Sequence, residues 1–409
     1  MLLDLLNQQL HERDAQLLRR RRRVAETGCA PQQRLSMDGG RPRDMLSFGS
    51  NDYLGLARHP LLIEALAEGA SRYGVGSGSS PLLTGHSRAH AQLEQELAAT
   101  QAINIPGCEA LYFGSGYLAA LALLSALGDE HATIFSDKLK HVSLVDGTLL
   151  AKTRKAKVLR YPHGDLGALE KQLAESRSQV KLIVTDAVFG MDGHIAPLPE
   201  LLALADQHDA WVVVDDAHGF GVLGAQGRGS LAHFGLSSAR FIYLGNLGKA
   251  LGVAGAFVAA HPTIIAWLVQ SARTYINTTA APPAVAHAAS ASLKLVMGGE
   301  GDQRRAQLQL LGAALCESLA GIVAALPPMG WEAPPSGTPI HPFIVGDNES
   351  ALALAAGLDA VGLLVPVIRP PTVPVGTARL RISLSASHTE ADVWRLSSAL
   401  ADAVETLLP

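Results

Sequence analysis

Short apolar runs recur along the middle of the chain at Ala110–Phe113, Thr133–Ser136, Lys157–Arg160, Lys181–Thr185, Trp211–Val214, Phe241–Leu244 and Ala256–Ala259. Several are apolar at successive positions rather than alternating, as strands buried on both faces are. The segments between them read as helices, and that βα alternation predicts a mostly parallel sheet covered on both sides. At the N-terminus, Leu3, Leu6, Leu10 and Leu17 fall near one helical face among polar residues. They predict an amphipathic helix over residues 1–24, ending in the five arginines Arg19 to Arg23, and not a signal peptide. A short strand is expected near Met45-Leu46-Ser47-Phe48. Beyond residue 290 the pattern changes to a helix over 302–325, strands near Ile340–Val345 and Arg379–Ser385, and a last helix from Thr389. The expected organisation is an N-terminal helix and lead-in segment (1–45), a large α/β domain (46–290) and a small α+β domain (291–409).

One uncharged run, Ala110 to Gly128, approaches the roughly 20 residues that span a bilayer. It contains the turn Phe113-Gly114-Ser115-Gly116-Tyr117, so it reads as a strand tip, a turn and a buried helix, and no membrane span is expected. At 409 residues the chain exceeds one ordinary core. A net charge of -4 and a pI near 6.4 give no reason to expect a nucleic-acid partner. Cys29, Cys108 and Cys316 lie far apart without a CxxC pair, which fits a reducing cytoplasm and no zinc site. No HExxH or similar ligand spacing occurs, so no metal is expected.

The candidate chemistry lies at two strand ends. Lys249 sits among small residues in Gly245-Asn246-Leu247-Gly248-Lys249-Ala250 directly after one apolar run. Another run ends in Val214-Asp215-Asp216-Ala217-His218-Gly219. A lysine amine able to form a Schiff base, with a carboxylate to hold a pyridine nitrogen protonated, is what pyridoxal 5′-phosphate (PLP) chemistry requires. Strand neighbours point to opposite faces, so only one of Asp215 and Asp216 can serve. Ser115-Gly116-Tyr117 opens a helix, and helix N-termini bind phosphate. His141 follows another strand tip, where a flat ring could stack on the cofactor, and His218 could reach its phenolic oxygen. Gly74-Val75-Gly76-Ser77-Gly78-Ser79-Ser80 lacks dinucleotide-loop spacing; it reads either as a flexible connector or as a loop closing over the site.

Ser50-Asn51-Asp52-Tyr53-Leu54-Gly55-Leu56, Phe189-Gly190-Met191-Asp192-Gly193, Val214–Gly219, Gly224–Gly229 and the Lys249 segment together resemble the α-oxoamine synthases. The resemblance runs from the N-terminal helix to about residue 390. It implies an α/β enzyme of PLP-dependent fold type I, the aspartate aminotransferase-like fold. It further implies that Lys249 carries the cofactor, Asp215 faces the ring nitrogen, His218 the phenolic oxygen, and His141 stacks on the ring. Ser115, Gly116 and Tyr117 would hold the phosphate. Arg381 would bind the amino-acid carboxylate, while Thr372 and Arg19 would contact substrate. The family is homodimeric with interfacial active sites, so Thr278 and Thr279 would reach the partner's phosphate.

Two positions depart from the family pattern. Asn246 stands where a threonine usually bonds the phosphate, and Gly190 where a serine or threonine usually contacts the ring oxygen. Uncompensated, the two changes would weaken cofactor binding by about 1–3 kcal/mol. The stretch Ile368–Arg381 most resembles the member that condenses L-alanine with a pimeloyl thioester, on CoA or acyl carrier protein, in biotin synthesis. A sister synthase with another acyl donor (glycine C-acetyltransferase, 5-aminolevulinate synthase or a long-chain acyl enzyme) would share the PLP residues. An aminotransferase would need no thioester.

Overall fold

The computed structural model describes residues 1–37 and 40–407. The chain divides into two compact units, Leu54–Gly190 with His194–Arg305, and Met1–Tyr53 with Met191–Gly193 and Ala306–Pro409. These bounds differ from the segments 1–45, 46–290 and 291–409. The N-terminal strands pair with a C-terminal one, which draws the first fifty-odd residues into the smaller unit.

In the larger unit the seven expected strands form one sheet. Its spatial order is Glu109–Phe113, Ala256–Ala260, Phe241–Asn246, Trp211–Asp215, Val180–Asp186, Ala132–Asp137 and Lys157–Tyr161. All pairings are parallel except those of Ala256–Ala260, which runs antiparallel to both neighbours. The central strands are apolar throughout because both faces are covered: Val213, Ile242, Leu244 and Val258 are all fully buried. The uncharged run resolves into strand Glu109–Phe113, a turn and the helix Gly116–Leu127. That helix lies close against helix Val142–Thr153, where a β-carbon on Gly147 would stand 2.8 Å from Leu124 Cδ1. Asp186 pairs with Asp215, and Asp215 with Leu244, so three adjacent strands end level at one carboxyl rim. In open α/β sheets that rim is the ligand-binding edge.

In the smaller unit the N-terminal helix spans only Leu2–Ala15 and buries no residue. The helix expected over residues 1–24 therefore stops early. Leu17 adopts a φ of 57°, and consecutive arginines repel at helical spacing. Arg23–Ala25 instead forms a strand antiparallel to Gln32–Met37. That strand pairs with Arg43–Ser47, which runs parallel to Leu363–Leu364. Ile340–Gly346, Ala378–Ser383 and Val367–Ile368 form a second sheet. The last helix, Glu390–Glu405, begins with a reciprocal capping box between Thr389 and Asp392.

Helix Gly299–Ala325 is long and apolar enough to cross a membrane, with a window of mean hydropathy 1.7. Its Leu308, Leu311, Leu315 and Leu319 are buried at helical spacing, the pattern of a core helix.

Candidate active site

Lys249, His218, Asp215, His141, Gly116 and Asn246 line one cleft of about 140 Å³ in the larger unit. Lys249 sits in the turn after strand Phe241–Asn246. Buried Leu247, Ala250 and Leu251 anchor that turn on either side, leaving the lysine half-buried. Lys249 Nζ lies 2.9 Å from His218 Nε2. Which of the two nitrogens donates depends on the His218 tautomer and on the charge of the lysine. Asn246 Oδ1 accepts the Gly248 N–H at 2.8 Å, fixing the turn that presents the lysine.

The two adjacent aspartates divide their work. Asp216 is fully buried and accepts three hydrogen bonds, from Ser230 N (2.6 Å), Ser230 Oγ (2.6 Å) and Tyr243 Oη (2.7 Å). Burial pushes its carboxyl up to about 6 despite them. Asp215 lines the cleft and accepts the Ala217 N–H at 3.1 Å. Burial raises its pKa too, while Lys249 and His141 oppose that rise. The choice of Asp215 for the cleft rests on this geometry as well as on the motif.

His141 is the N-cap of helix Val142–Thr153. Its Nδ1 accepts the Ser143 N–H at 3.2 Å and meets Ser143 Oγ at 2.7 Å. His141 is exposed as a residue, yet loss of water around its ring lowers its pKa, with Lys249 adding to that fall and Asp215 opposing it. Sequence reasoning missed Asp186, which also lines the cleft and accepts the His141 N–H through Oδ1 (3.1 Å) and Oδ2 (3.0 Å). The available signal was a second strand ending in a carboxylate at the same rim.

At the start of helix Gly116–Leu127, Ser115 Oγ caps the helix by accepting the Leu118 N–H at 3.3 Å. The N–H groups of Gly116 and Tyr117 stand outside the intrahelical ladder. A β-carbon on Gly116 would lie 2.9 Å from Asn246 Nδ2, so the glycine keeps open the space between helix start and lysine turn. The Tyr117 hydroxyl donates to Asp146. A β-carbon on Gly190 would stand 2.6 Å from His218 Nε2, so this glycine admits the His218 ring where it lies.

Thr278 and Thr279 do not line the lysine cleft of their own chain. They border a separate pocket with His86, His90 and Tyr112. The glycine-rich 74–80 segment is tied to their neighbours: Ser77 Oγ donates to Ala281 O (2.6 Å), and Ala280 N to Ser79 O (2.9 Å).

The remaining expected residues belong to the smaller unit. Arg381 is buried on strand Ala378–Ser383, donating to Ser383 Oγ (2.7 Å), Asn51 Oδ1 (3.2 Å) and Tyr53 Oη (3.4 Å). Thr372 is exposed in a loop, its N–H bonded to Arg369 O at 3.1 Å. Arg19 pairs with Asp14 at 2.6 Å and borders a cleft of about 820 Å³ with Arg21, Arg23, Arg43 and Arg369.

A mostly parallel sheet with lysine, aspartate and two histidines at its carboxyl rim defines a PLP-dependent enzyme of fold type I. The chain matches the family described as aminotransferase class I and II over residues 43–400. A serine palmitoyltransferase from S. paucimobilis, solved with a bound PLP–myriocin aldimine, superposes with a TM-score of 0.88 at 29% identity, covering 99% of each chain. The 8-amino-7-oxononanoate synthase of Leptothrix cholodnii is 63% identical over 410 residues, all of both chains. That of Polaromonas naphthalenivorans is 64% identical over 407 residues, 100% of this chain and 99% of the relative. The chain belongs to the 8-amino-7-oxononanoate synthases.

Proposed function

We propose that the chain catalyses the decarboxylative condensation of L-alanine with a pimeloyl thioester of CoA or acyl carrier protein. The products are 8-amino-7-oxononanoate, CO2 and free thiol, a step of biotin synthesis. The observation that carries this reading is the Lys249–His218 contact at 2.9 Å in a cleft shared with Asp215 and His141.

The residues fit PLP. The space beside Gly116, which a β-carbon would fill, suits a phosphate at a helix N-terminus. Ser115, Gly116, Tyr117 and Asn246 would hold that phosphate, Asp215 the ring nitrogen, His218 the ring oxygen, His141 the ring face, and Lys249 the cofactor covalently. When bound there, PLP supplies an electron sink for the charge that develops at the amino acid's α-carbon.

The rest of the work falls to the chain's own groups. The Lys249 amine, once free, takes the α-proton, and His218 within hydrogen-bond reach keeps it oriented. Burial raises the Asp215 pKa, while Lys249 and His141 favour its charged form, the form that would keep a pyridine nitrogen protonated. Arg381 would take the alanine carboxylate; Asn51 and Tyr53 already hold its guanidinium in place. Arg19, with Thr372, would meet the acyl substrate. The assembly would be a cytoplasmic homodimer in which Thr278 and Thr279 serve the partner's phosphate, consistent with their standing outside their own lysine cleft.

A thiol-release assay over a matrix of amino acids and acyl thioesters tests the reading. L-alanine with a pimeloyl donor should turn over best. Faster release from acetyl-CoA or a simple fatty acyl-CoA would remove the biotin assignment and leave a sister synthase.

A further inference from the structure

We infer that Asp186 is a positioning residue of this active site, acting by clamping the main chain of His141. It deepens the PLP reading above and rests on it. Asp186 ends strand Val180–Asp186 at the same register position as Asp215 on the neighbouring parallel strand, and both side chains line the cleft. It is 5% exposed, and both its oxygens lie within 3.1 Å of the His141 N–H. At the other edge of the same residue, His141 Nδ1 is tied to Ser143 N and Oγ. The imidazole is therefore held from its backbone by one strand and from its ring by its own helix.

A free carboxylate facing Asp215 across 4.7–4.9 Å of strand spacing would disfavour the charge Asp215 needs. Burial and Asp215 together hold the Asp186 carboxyl well above the usual range, opposed by the His141 N–H and Lys249, with Asp137 adding to the rise. Burial raises the Asp215 carboxyl as well, so neither acid is favoured in its charged form by its surroundings alone. A protonated carboxyl still offers a carbonyl oxygen to the His141 N–H. The working feature is that acceptor oxygen and not a charge, and an amide would supply it equally.

The test uses holoenzyme and two readouts other than turnover: the visible circular dichroism of the bound cofactor and its dissociation constant. Asp186→Ala should cut the dichroism by about half or more and weaken PLP binding roughly tenfold, whereas Asp186→Asn should stay within about twofold of the parent on both. Adding Asp186→Ala to His141→Ala should cause little further loss, because the clamp then has nothing to position. If Asp186→Ala does not fold, Asp186→Ser takes its place, since its hydroxyl stops short of the His141 N–H. The inference is overturned if the alanine variant matches the parent, if asparagine is as damaging as alanine, or if the double variant loses a further large factor. A parent chain whose Lys249 carries no cofactor overturns the PLP reading and this inference with it. A loaded Lys249 beside an indifferent Asp186→Ala overturns the inference alone.

Discussion

Substituting the two adjacent aspartates one at a time should separate stability from catalysis. Asp216→Ala removes the acceptor for Ser230 N, Ser230 Oγ and Tyr243 Oη, all within 2.7 Å of a carboxylate with no solvent exposure. The Ser230 hydroxyl can turn elsewhere. The Ser230 N–H and the Tyr243 hydroxyl are left buried without this partner, at about 1–3 kcal/mol each. With the small cavity added, the loss is on the order of 3–5 kcal/mol. Asp215 accepts one backbone N–H, from Ala217, and its removal relieves the opposition of a second buried carboxyl at Asp186. Asp215→Asn should therefore cost roughly 1 kcal/mol or less while nearly abolishing turnover. Denaturant midpoints of the cofactor-free variants, with thiol release measured on the loaded ones, check both halves. The reasoning is refuted if Asp215→Asn is the more destabilised chain, or if Asp216→Asn loses turnover while Asp215→Asn retains it.

A charged hydrogen bond to a remote substrate carboxylate contributes about 1–3 kcal/mol, so Arg19→Ala should raise the apparent KM for the pimeloyl donor roughly tenfold with kcat little changed. An equal KM for parent and variant would move that role to another arginine of the 19–23 run. His341 is buried and held neutral, its pKa lowered from 6.5 to about 4, so on acidification the unfolded chain takes up a proton there before the folded one does. Its contribution is full above pH 6.5 and lost as pH falls towards about 4, amounting to about 3 kcal/mol. His341→Leu should flatten the acid side of a plot of urea midpoint against pH, and an unchanged slope would show that other groups set it.

The parallel strands were legible because burial on both faces leaves continuous apolar runs, and the observed strands differ from those runs by at most two residues at either end. Lys249 and the Asp215–Asp216 pair stood out because each breaks such a run at the rim. Which aspartate faces the cleft was not legible from residues alone. It depends on Ser230 and Tyr243, which claim Asp216 from distant positions in the chain. Asp186 escaped notice for a similar reason, since its partner is a backbone N–H 45 residues away. The N-terminal helix was read too long because hydrophobic spacing carries no account of repulsion among neighbouring arginines or of the turn at Leu17. The two-residue strands Leu363–Leu364 and Val367–Ile368 are too short to show a period, and exist only through their partners.

The Lys249 cleft is where this chain would hold PLP. The most direct measurement is borohydride reduction of the purified protein followed by peptide mapping. Among the described residues no other lysine lines the cleft, so the pyridoxyl group should be recovered on the peptide carrying Lys249 and be absent from a Lys249→Ala chain. Recovery at Lys138, Lys140 or Lys152 instead would contradict the account. So would a full-length folded protein that takes up PLP without any covalent label.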